Sequence, residues 1–213
     1  MNRENSQAQE RMQFMSALAN LGTGTYSAYG DMFDWTSYDS MYLLSTAPEY
    51  RLFSVGLGEV DPITGVNKNL ADTNMRGRTI TPKGSKLLVQ YIKVFYSLRA
   101  AGDETNLQAI YDVFDNFVVN LSIFGKDTYG QWALDELMNL PLKVVTVPAT
   151  PGDNIGRETQ IKGSGVYPLK VPIVLASQTT FDIIVTPSGG APDESLDDSK
   201  LKIGLCGVQA RLS

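Results

Sequence analysis

The sequence contains no histidine, and this absence excludes several kinds of chemistry. Without histidine there is no Ser-His-Asp or Cys-His nucleophilic pair, no histidine metal ligand and no imidazole general base. Cysteine is nearly absent too, because Cys206 is the single thiol, which excludes an intrachain disulfide and any thiol pair for a redox or zinc motif. We therefore expect that the protein is not an enzyme.

Charged residues and long apolar runs are also scarce. Charged residues make up 19% of the 213 positions, whereas about 25% is usual. The net charge of −5 lacks the basic character that nucleic-acid binding requires. Nowhere do ~18 consecutive apolar residues occur to span a bilayer, and residues 1–22 lack the apolar run of a secretory signal. These features predict a soluble protein made inside the cell, without sequence-specific binding of nucleic acid.

Residues 1–50 are predicted to form an arm. Apolar residues recur at helical spacing within residues 1–21, which predicts a short amphipathic helix: Ala8, Met12, Met15, Leu18 and Ala19. Such a helix packs on its own domain, on a neighbouring subunit or on a membrane surface, and the few basic residues favour a protein partner over lipid. Residues 22–50 mix aromatic residues with Gly, Ser, Thr and Asp at no sustained period. We expect irregular, extended structure in that stretch.

The clearest strand signal lies in residues 167–185. Apolar residues alternate on both sides of the short stretch "ASQTT", which predicts two strands joined by a turn. The residues predicted to face the core are Leu169, Val171, Ile173, Phe181, Ile183 and Val185. Those predicted to face outward or toward neighbours are Lys170, Pro172, Gln178 and Asp182.

Residues 86–98 are predicted to form a strand that is apolar on both faces. The alternation puts Leu88, Ile92, Val94, Tyr96 and Leu98 on one face and Leu87, Val89, Tyr91 and Phe95 on the other. A strand of this kind is covered twice, by its own core and by something else.

The remaining pattern favours an all-β fold with a few short helices. Further strands are predicted over residues 50–60, 117–124, 142–148 and 201–213, a helix within 102–117, a helical turn within 128–141 and a loop over 149–165. Frequent turn signals and the lack of a βαβ rhythm indicate antiparallel pairing. We predict a single jelly-roll β-sandwich or barrel over residues 51–213, preceded by the helical arm of residues 1–50.

No motif in the sequence indicates a metal or cofactor site. The loops of residues 61–74 and 193–198 offer oxygen ligands to a Ca²⁺ ion, but both lack the ligand order of an EF-hand. Turns and solvated loops use the same residue types, so we expect no metal and no cofactor. Asp112 and Asp115 are a carboxylate pair of the kind that glycoside hydrolysis uses, yet both fall on the outer face of the predicted helix.

Several segments carry a resemblance to known proteins. "GSGVYPLKVPIVLASQTTFDIIV" and "LKIGLCGVQARLS" resemble the closing strands of viral jelly-roll capsid proteins. "RLFSVGLGEVDP", "ADTNM" and "ITPKGSKLLVQYIKVFY" are similar to segments of structural proteins of tailless, icosahedral bacteriophages, so the resemblance covers residues 50–213. It implies a capsid subunit of the virion, made in the host cytoplasm, that assembles with copies of itself and other virion proteins. The chain has room for one barrel, which leaves major coat, penton, spike and minor component open.

The subunit interfaces of such a protein would use apolar and aromatic side chains. The residues that we expect there are Met12, Met15, Leu18, Trp35, Tyr38, Tyr42, Tyr91 and Phe95. An alternative function is a β-sandwich spike or binding module that recognises carbohydrate or a host receptor through Tyr38, Tyr42 and Trp132, since aromatic rings stack on sugars. Contact with an inner membrane or with the genome stays open.

Overall fold

The chain folds as a two-layer β-sandwich in the computed structural model, which describes residues 29–77, 81–101, 106–123, 128–138, 144–148 and 157–212. The predicted all-β class is confirmed. The strands are β1 (Tyr29–Tyr42), β2 (Tyr50–Leu52), β3 (Ser85–Ala101), β4 (Phe117–Ile123), β5 (Thr128–Ala133), β6 (Val144–Pro148), β7 (Arg157–Leu175), β8 (Phe181–Pro187) and β9 (Lys200–Leu212). The predicted helix of residues 1–21, with Met12, Met15 and Leu18, lies outside the described residues.

The described strands form two antiparallel sheets. One sheet has the order β1-β9-β3-β7-β6, and the other has the order β2-β8-β4-β5. Two short helices, α1 (Asn106–Asn116) and α2 (Leu134–Leu137), and a 3-10 turn (Glu194–Leu196) complete the fold. Within these ranges no helix is both long enough and apolar enough to cross a membrane.

The core lies between the two sheets and is rich in aromatic rings. Tyr50 of β2 stacks on Phe117 of β4 with 6.1 Å between ring centroids, and Phe53 meets Phe181 of β8 at 5.2 Å. Each side chain of this size contributes about 1.5–3 kcal/mol by leaving water. In β8 the alternation predicts the inward residues correctly, because Phe181, Ile183 and Val185 are all buried.

β1 corrects the expectation of irregular structure between residues 22 and 50. Residues 29–42 form a strand that pairs with β9 along its whole length. The inward positions of β1 include Ser37 and Asp39, both buried. Polar residues at core positions hide the alternation, so the sequence did not reveal this strand.

Two strand boundaries also differ from the prediction. β2 stops at Leu52, and residue Phe53 has a positive φ of 65° that turns the chain away from the sheet, so residues 53–60 are not strand. In the opposite direction, β7 begins at Arg157, inside the stretch 149–165 that was predicted as a loop. Pairing with β3 makes this stretch a strand, although its amino-acid composition is typical of a loop.

A bulge in β3 changes which residues face the core. The pairing shifts register between Val89 and Tyr91, which leaves Gln90 out of the alternation. Leu87 and Val89 therefore join Ile92 in the core, whereas Leu88 packs with Ala210 on the opposite face of the sheet. The prediction that Leu88 and Ile92 share one face is wrong for this reason.

The partner strand β7 is irregular at the same level. Val89 pairs with Ile173 and Tyr91 with Pro168, so residues 169–172 lie opposite the bulge. Val171 was predicted to face the core but is 76% exposed, because the alternation does not hold through the unpaired residues. Leu169 is partly buried against the core, and Ile173 is buried as predicted.

We expect Gly207→Ala to destabilise the fold, because Gly207 of β9 touches the β3 backbone beside the bulge. A Cβ at this position would lie 1.9 Å from the carbonyl oxygen of Leu88 and 3.0 Å from the amide nitrogen of Gln90. The loss of unfolding free energy should be about 1–3 kcal/mol or more, measured by urea denaturation. Gly77→Ala, where a Cβ would meet nothing within 4 Å, is the control. Equal urea midpoints for the two variants would contradict the expectation.

Candidate interaction surface

The five-stranded sheet has one face turned away from the core, which we call the outer sheet face. Leu201, Ile203 and Leu205 of β9 are buried in the core, so the alternate residues of β9 lie on the opposite side of the sheet. The residues of β1 and β3 that pair with these alternate β9 residues lie on the same side of the sheet. The outer sheet face is defined by Thr36, Tyr38, Ser40, Tyr42, Tyr91, Lys93, Phe95, Val166, Lys200, Lys202 and Cys206.

Large apolar side chains lie exposed in the middle of this face. Tyr91 and Phe95 of β3 are each 37% exposed, and Val166 of β7, which pairs with Lys93, is 43% exposed. Scattered apolar residues on a surface are ordinary, but adjacent ones on the face of a sheet are typical of an interaction site.

Lysines lie over the aromatic rings of the same face. The Nζ atoms of Lys93 and Lys202 are each 4.7 Å from a ring centroid, that of Phe95 and that of Tyr38 respectively, and Lys200 lies 5.0 Å from the centroid of Tyr42. Each contact contributes about 0.5–1 kcal/mol at exposed sites. The outer sheet face therefore combines aromatic surface with positive charge.

Tyr38 and Tyr42 are held in place by the loop of residues 61–74. The Tyr38 hydroxyl donates to the carbonyl oxygen of Leu70 at 2.6 Å, and the Tyr42 hydroxyl donates to Oδ1 of Asp72 at 3.2 Å. Lys200 also donates to Asp72. Burial alone would raise the pKa of Asp72, but the hydrogen bonds from Lys200 and from the amide of Asn69 outweigh it and lower that pKa. This loop stabilises one border of the outer sheet face.

The structure brings four of the residues predicted at interfaces onto this face and separates two other aromatic residues from them. Trp35 lies on the inward side of β1, where it packs against the core and donates from Nε1 to the Ser37 hydroxyl at 3.2 Å. Trp132 belongs to β5 of the other sheet and packs edge-on against Tyr167, with 6.4 Å between centroids. Trp132 is therefore not beside Tyr38, and the two do not form one sugar-stacking platform.

The carboxylates of the two acidic loops take part in local hydrogen bonds. Oδ1 of Asp61 accepts from the amides of Ile63 and Thr64, and Asp197 accepts from the amide of Ser45 at 2.7 Å. Hydrogen bonds from Ser195 lower the pKa of Asp193. In the described parts of the chain, no three His, Cys, Asp or Glu side chains are grouped so that they could hold a metal ion. Asp112 and Asp115 are exposed on α1, as predicted.

Cys206 lies at the centre of the outer sheet face but is almost fully buried. It is 1% exposed, and its sulfur accepts a hydrogen bond from the Thr36 hydroxyl at 3.4 Å. Burial raises the pKa of the thiol. Because the thiolate is the reactive form, this cysteine is expected to act as an apolar packing residue.

A buried ion cluster connects β1 to the segment of residues 53–75, and the sequence did not indicate it. Nζ of Lys68 donates to both carboxylate oxygens of Asp39, at 2.8 and 2.9 Å, and to the carbonyl oxygen of Ser40 at 3.0 Å. Oδ2 of Asp61 lies 3.7 Å from the same nitrogen, and the amide of Phe53 donates to Oδ2 of Asp39 at 2.5 Å. These contacts fix the segment against the strand.

Electrostatics in the cluster are dominated by desolvation. The side chains of Asp39 and Lys68 are 0% and 5% exposed. Burial raises the pKa of Asp39 above its ordinary value, and this effect outweighs the charge and hydrogen bonds of Lys68, which act in the other direction. Each charge is therefore expensive to bury, and the cluster is stable only while its partners are present.

Lys68→Met should lower the free energy of unfolding by about 3–5 kcal/mol, because it leaves the Asp39 carboxylate buried and without its cation. Adding Asp39→Leu to the variant should recover much of that loss, since the double variant has no unpaired charge in the interior. Lys83→Met, at an exposed lysine, is the control and should change stability little. Thermal and urea unfolding measure the difference. A Lys68→Met variant as stable as Lys83→Met would show that the cluster contributes nothing.

Comparison with known proteins adds no family to this description. The chain matches no protein-family model, and no curated protein matches its sequence. The function is therefore inferred from the fold and from the outer sheet face.

Proposed function

We propose that the protein is a capsid subunit that assembles with copies of itself into an icosahedral virion shell, through a jelly-roll domain and an N-terminal arm. The observation that carries the proposal is the strand order of the sandwich, taken together with an exposed aromatic face on one of its sheets. The resemblance of residues 50–213 to bacteriophage capsid proteins points in the same direction.

The strand order supports the jelly-roll part of the proposal. With β6 left aside, the described strands form β1-β9-β3-β7 in one sheet and β2-β8-β4-β5 in the other. The chain crosses between the sheets at each step except from β4 to β5. A jelly roll of eight strands has the same order, and this architecture is used by viral capsid and lectin domains.

The fold alone does not distinguish a capsid subunit from a lectin domain. The rest of the proposal therefore depends on the outer sheet face. Protein interfaces are enriched in aromatic residues at their centre and have a polar rim. Tyr91 and Phe95 supply the exposed aromatic centre, and Lys93 and Lys202 supply charged surroundings. No corresponding cluster of aromatic residues joins Trp132 to Tyr38 among the described residues, so we favour assembly over carbohydrate recognition.

Charge complementarity indicates how copies would meet. The outer sheet face carries lysines, while the whole chain has a net charge of −5. Exposed carboxylates lie on the two short helices: Asp112 and Asp115 on α1, and Asp135 and Glu136 on α2. A basic face on one copy and an acidic surface on the next form a head-to-tail contact, which builds rings and shells instead of closed pairs.

Replacing both Tyr91 and Phe95 by serine should weaken assembly by about tenfold or more, because buried aromatic anchors commonly dominate binding energy. Sedimentation velocity of the variant and the parent protein at matched concentrations measures the effect. The control is Tyr129→Ser, which removes a ring that is 58% exposed on β5 and outside the outer sheet face. Circular dichroism should show the same β-fold in all three proteins. A double variant that assembles like the parent would contradict the proposed interface.

Deletion of residues 1–21 tests the arm separately. In the proposal these residues form an amphipathic helix that docks on a neighbouring subunit, so the truncated protein should assemble less while its thermal midpoint stays the same. Light scattering and negative-stain microscopy measure assembly. Unchanged assembly would remove the arm from the proposal, and a soluble monomer that binds a defined glycan on an array would favour the carbohydrate-binding alternative.

A further inference from the structure

A cavity of ≈ 660 Å³ lies at the end of the sandwich where β9 finishes. It is bounded by the inward side of β1 and β9, by residues 74–77 and 81–83, and by the turn between β7 and β8. Small-molecule sites in proteins have volumes of about 300–1,000 Å³, so this space is large enough for a ligand with two or three rings. We call it the end cavity, and the lining residues that matter for binding are Trp35, Met75, Arg76, Lys83, Gln209 and Arg211.

The charged side chains that line the end cavity among the described residues are all positive. They are Arg76, Lys83 and Arg211, and each of them is exposed. None of the three forms an ion pair with a described carboxylate. A concave site with charges of one sign concentrates ions of the opposite sign, so the end cavity favours an anion although the whole chain carries −5.

Aromatic rings form one wall of the end cavity and position one of its cations. Phe33 lies two residues before Trp35 on the same side of β1 and meets it edge-on, with 5.9 Å between ring centroids. The guanidinium carbon of Arg211 is 4.8 Å from the centroid of Phe33. This contact holds Arg211 near the indole of Trp35 while its N–H groups stay available to a ligand. The wall therefore suits a flat apolar ring that carries a negative charge.

The end cavity also contains a buried polar group without a partner. Gln209 lies two residues before Arg211 on the inward side of β9 and is 3% exposed. Its Oε1 atom accepts no hydrogen bond from the described residues. A buried amide oxygen in this state costs free energy, and nearly all such groups in folded proteins are paired. The carboxamide can turn about its Cγ–Cδ bond, so a ligand in the cavity with a hydroxyl or N–H group can donate to this oxygen.

We propose that the end cavity binds a small organic anion, in which a flat apolar ring carries a phosphate or carboxylate group and a hydroxyl or N–H donor. The ring packs against Trp35 and Met75. The anionic group accepts hydrogen bonds from Arg76 and Arg211, and the donor satisfies Gln209. The site lies on the opposite side of the sheet from the outer sheet face, so it does not depend on the capsid proposal.

Isothermal titration calorimetry of the full-length protein tests the charge requirement with three probes that share one ring system. Naphthyl phosphate and naphthoate are the anions, and naphthalenemethanol is the neutral control. At least one anion should bind about tenfold or more tightly than the alcohol, because charge-assisted hydrogen bonds to arginine are the stronger ones. The tighter of the two anions identifies the ligand's charged group. If neither anion binds, or if the alcohol binds equally well, the proposal is overturned.

Charge variants assign the binding to the end cavity. Arg76→Gln and Arg211→Gln should each weaken binding of the better anion by about tenfold. Lys162→Gln is the matched control, because Lys162 is exposed on β7 and does not line the cavity. Equal affinities of Arg211→Gln and Lys162→Gln would place the probe elsewhere and overturn the site. Reduced self-association of Arg76→Gln in sedimentation velocity, with no probe bound by the parent protein, would make the cavity a contact between copies and also overturn it.

Gln209→Leu tests the buried amide. The parent protein should bind hydroxynaphthoate more tightly than naphthoate, and the variant should lose this preference while it still binds naphthoate. Its thermal midpoint should not fall, because the substitution removes a buried polar group that has no partner in the free protein. A merely structural Gln209 would leave the preference for the hydroxyl unchanged, and that result would overturn its role in binding.

Discussion

β9 hydrogen bonds to β1 along one side and to β3 along the other, so residues from three distant parts of the chain meet in one sheet. Its inward residues supply the core, and its outward lysines supply charge to the outer sheet face. Closing such long loops costs entropy before the contacts form, which makes this pairing slow to establish and cooperative once made. Core and candidate surface therefore depend on the same strand.

The ion cluster at Asp39 imposes a second constraint, on the segment of residues 53–75. Apolar side chains at Asp39 and Lys68 would fill the same space with less desolvation, so stability alone does not account for the charges. The charges fix the position of the segment on β1, because Lys68 donates to both carboxylate oxygens of Asp39 and to the carbonyl oxygen of Ser40 at once. The segment in turn carries Asp72, which holds Tyr42 and Lys200. The border of the outer sheet face is thus connected to a buried contact.

Parts of this arrangement could be predicted from the sequence because their signal is local. β8 alternates without interruption from Phe181 to Val185, and α1 shows helical spacing. β1 could not be found in this way, since Ser37 and Asp39 occupy core positions. The alternation of inward and outward residues in β3 shifts by one residue at Gln90, because pairing with the neighbouring strand creates a bulge there. Tyr91 and Phe95 were identified as interface candidates from a two-sided apolar pattern, but the lysines over the rings require the register between strands, which the sequence does not contain.

The lysines of the outer sheet face also determine how charge is distributed over the molecule. Because the whole chain carries −5, any positive charge collected on one face makes the remainder more acidic than the average suggests. Lys93 and Lys202 are therefore a local positive patch on a chain that is negative overall. Such a patch attracts acidic surfaces before contact, and dissolved salt weakens the attraction beyond a Debye length of about 10 Å at moderate ionic strength.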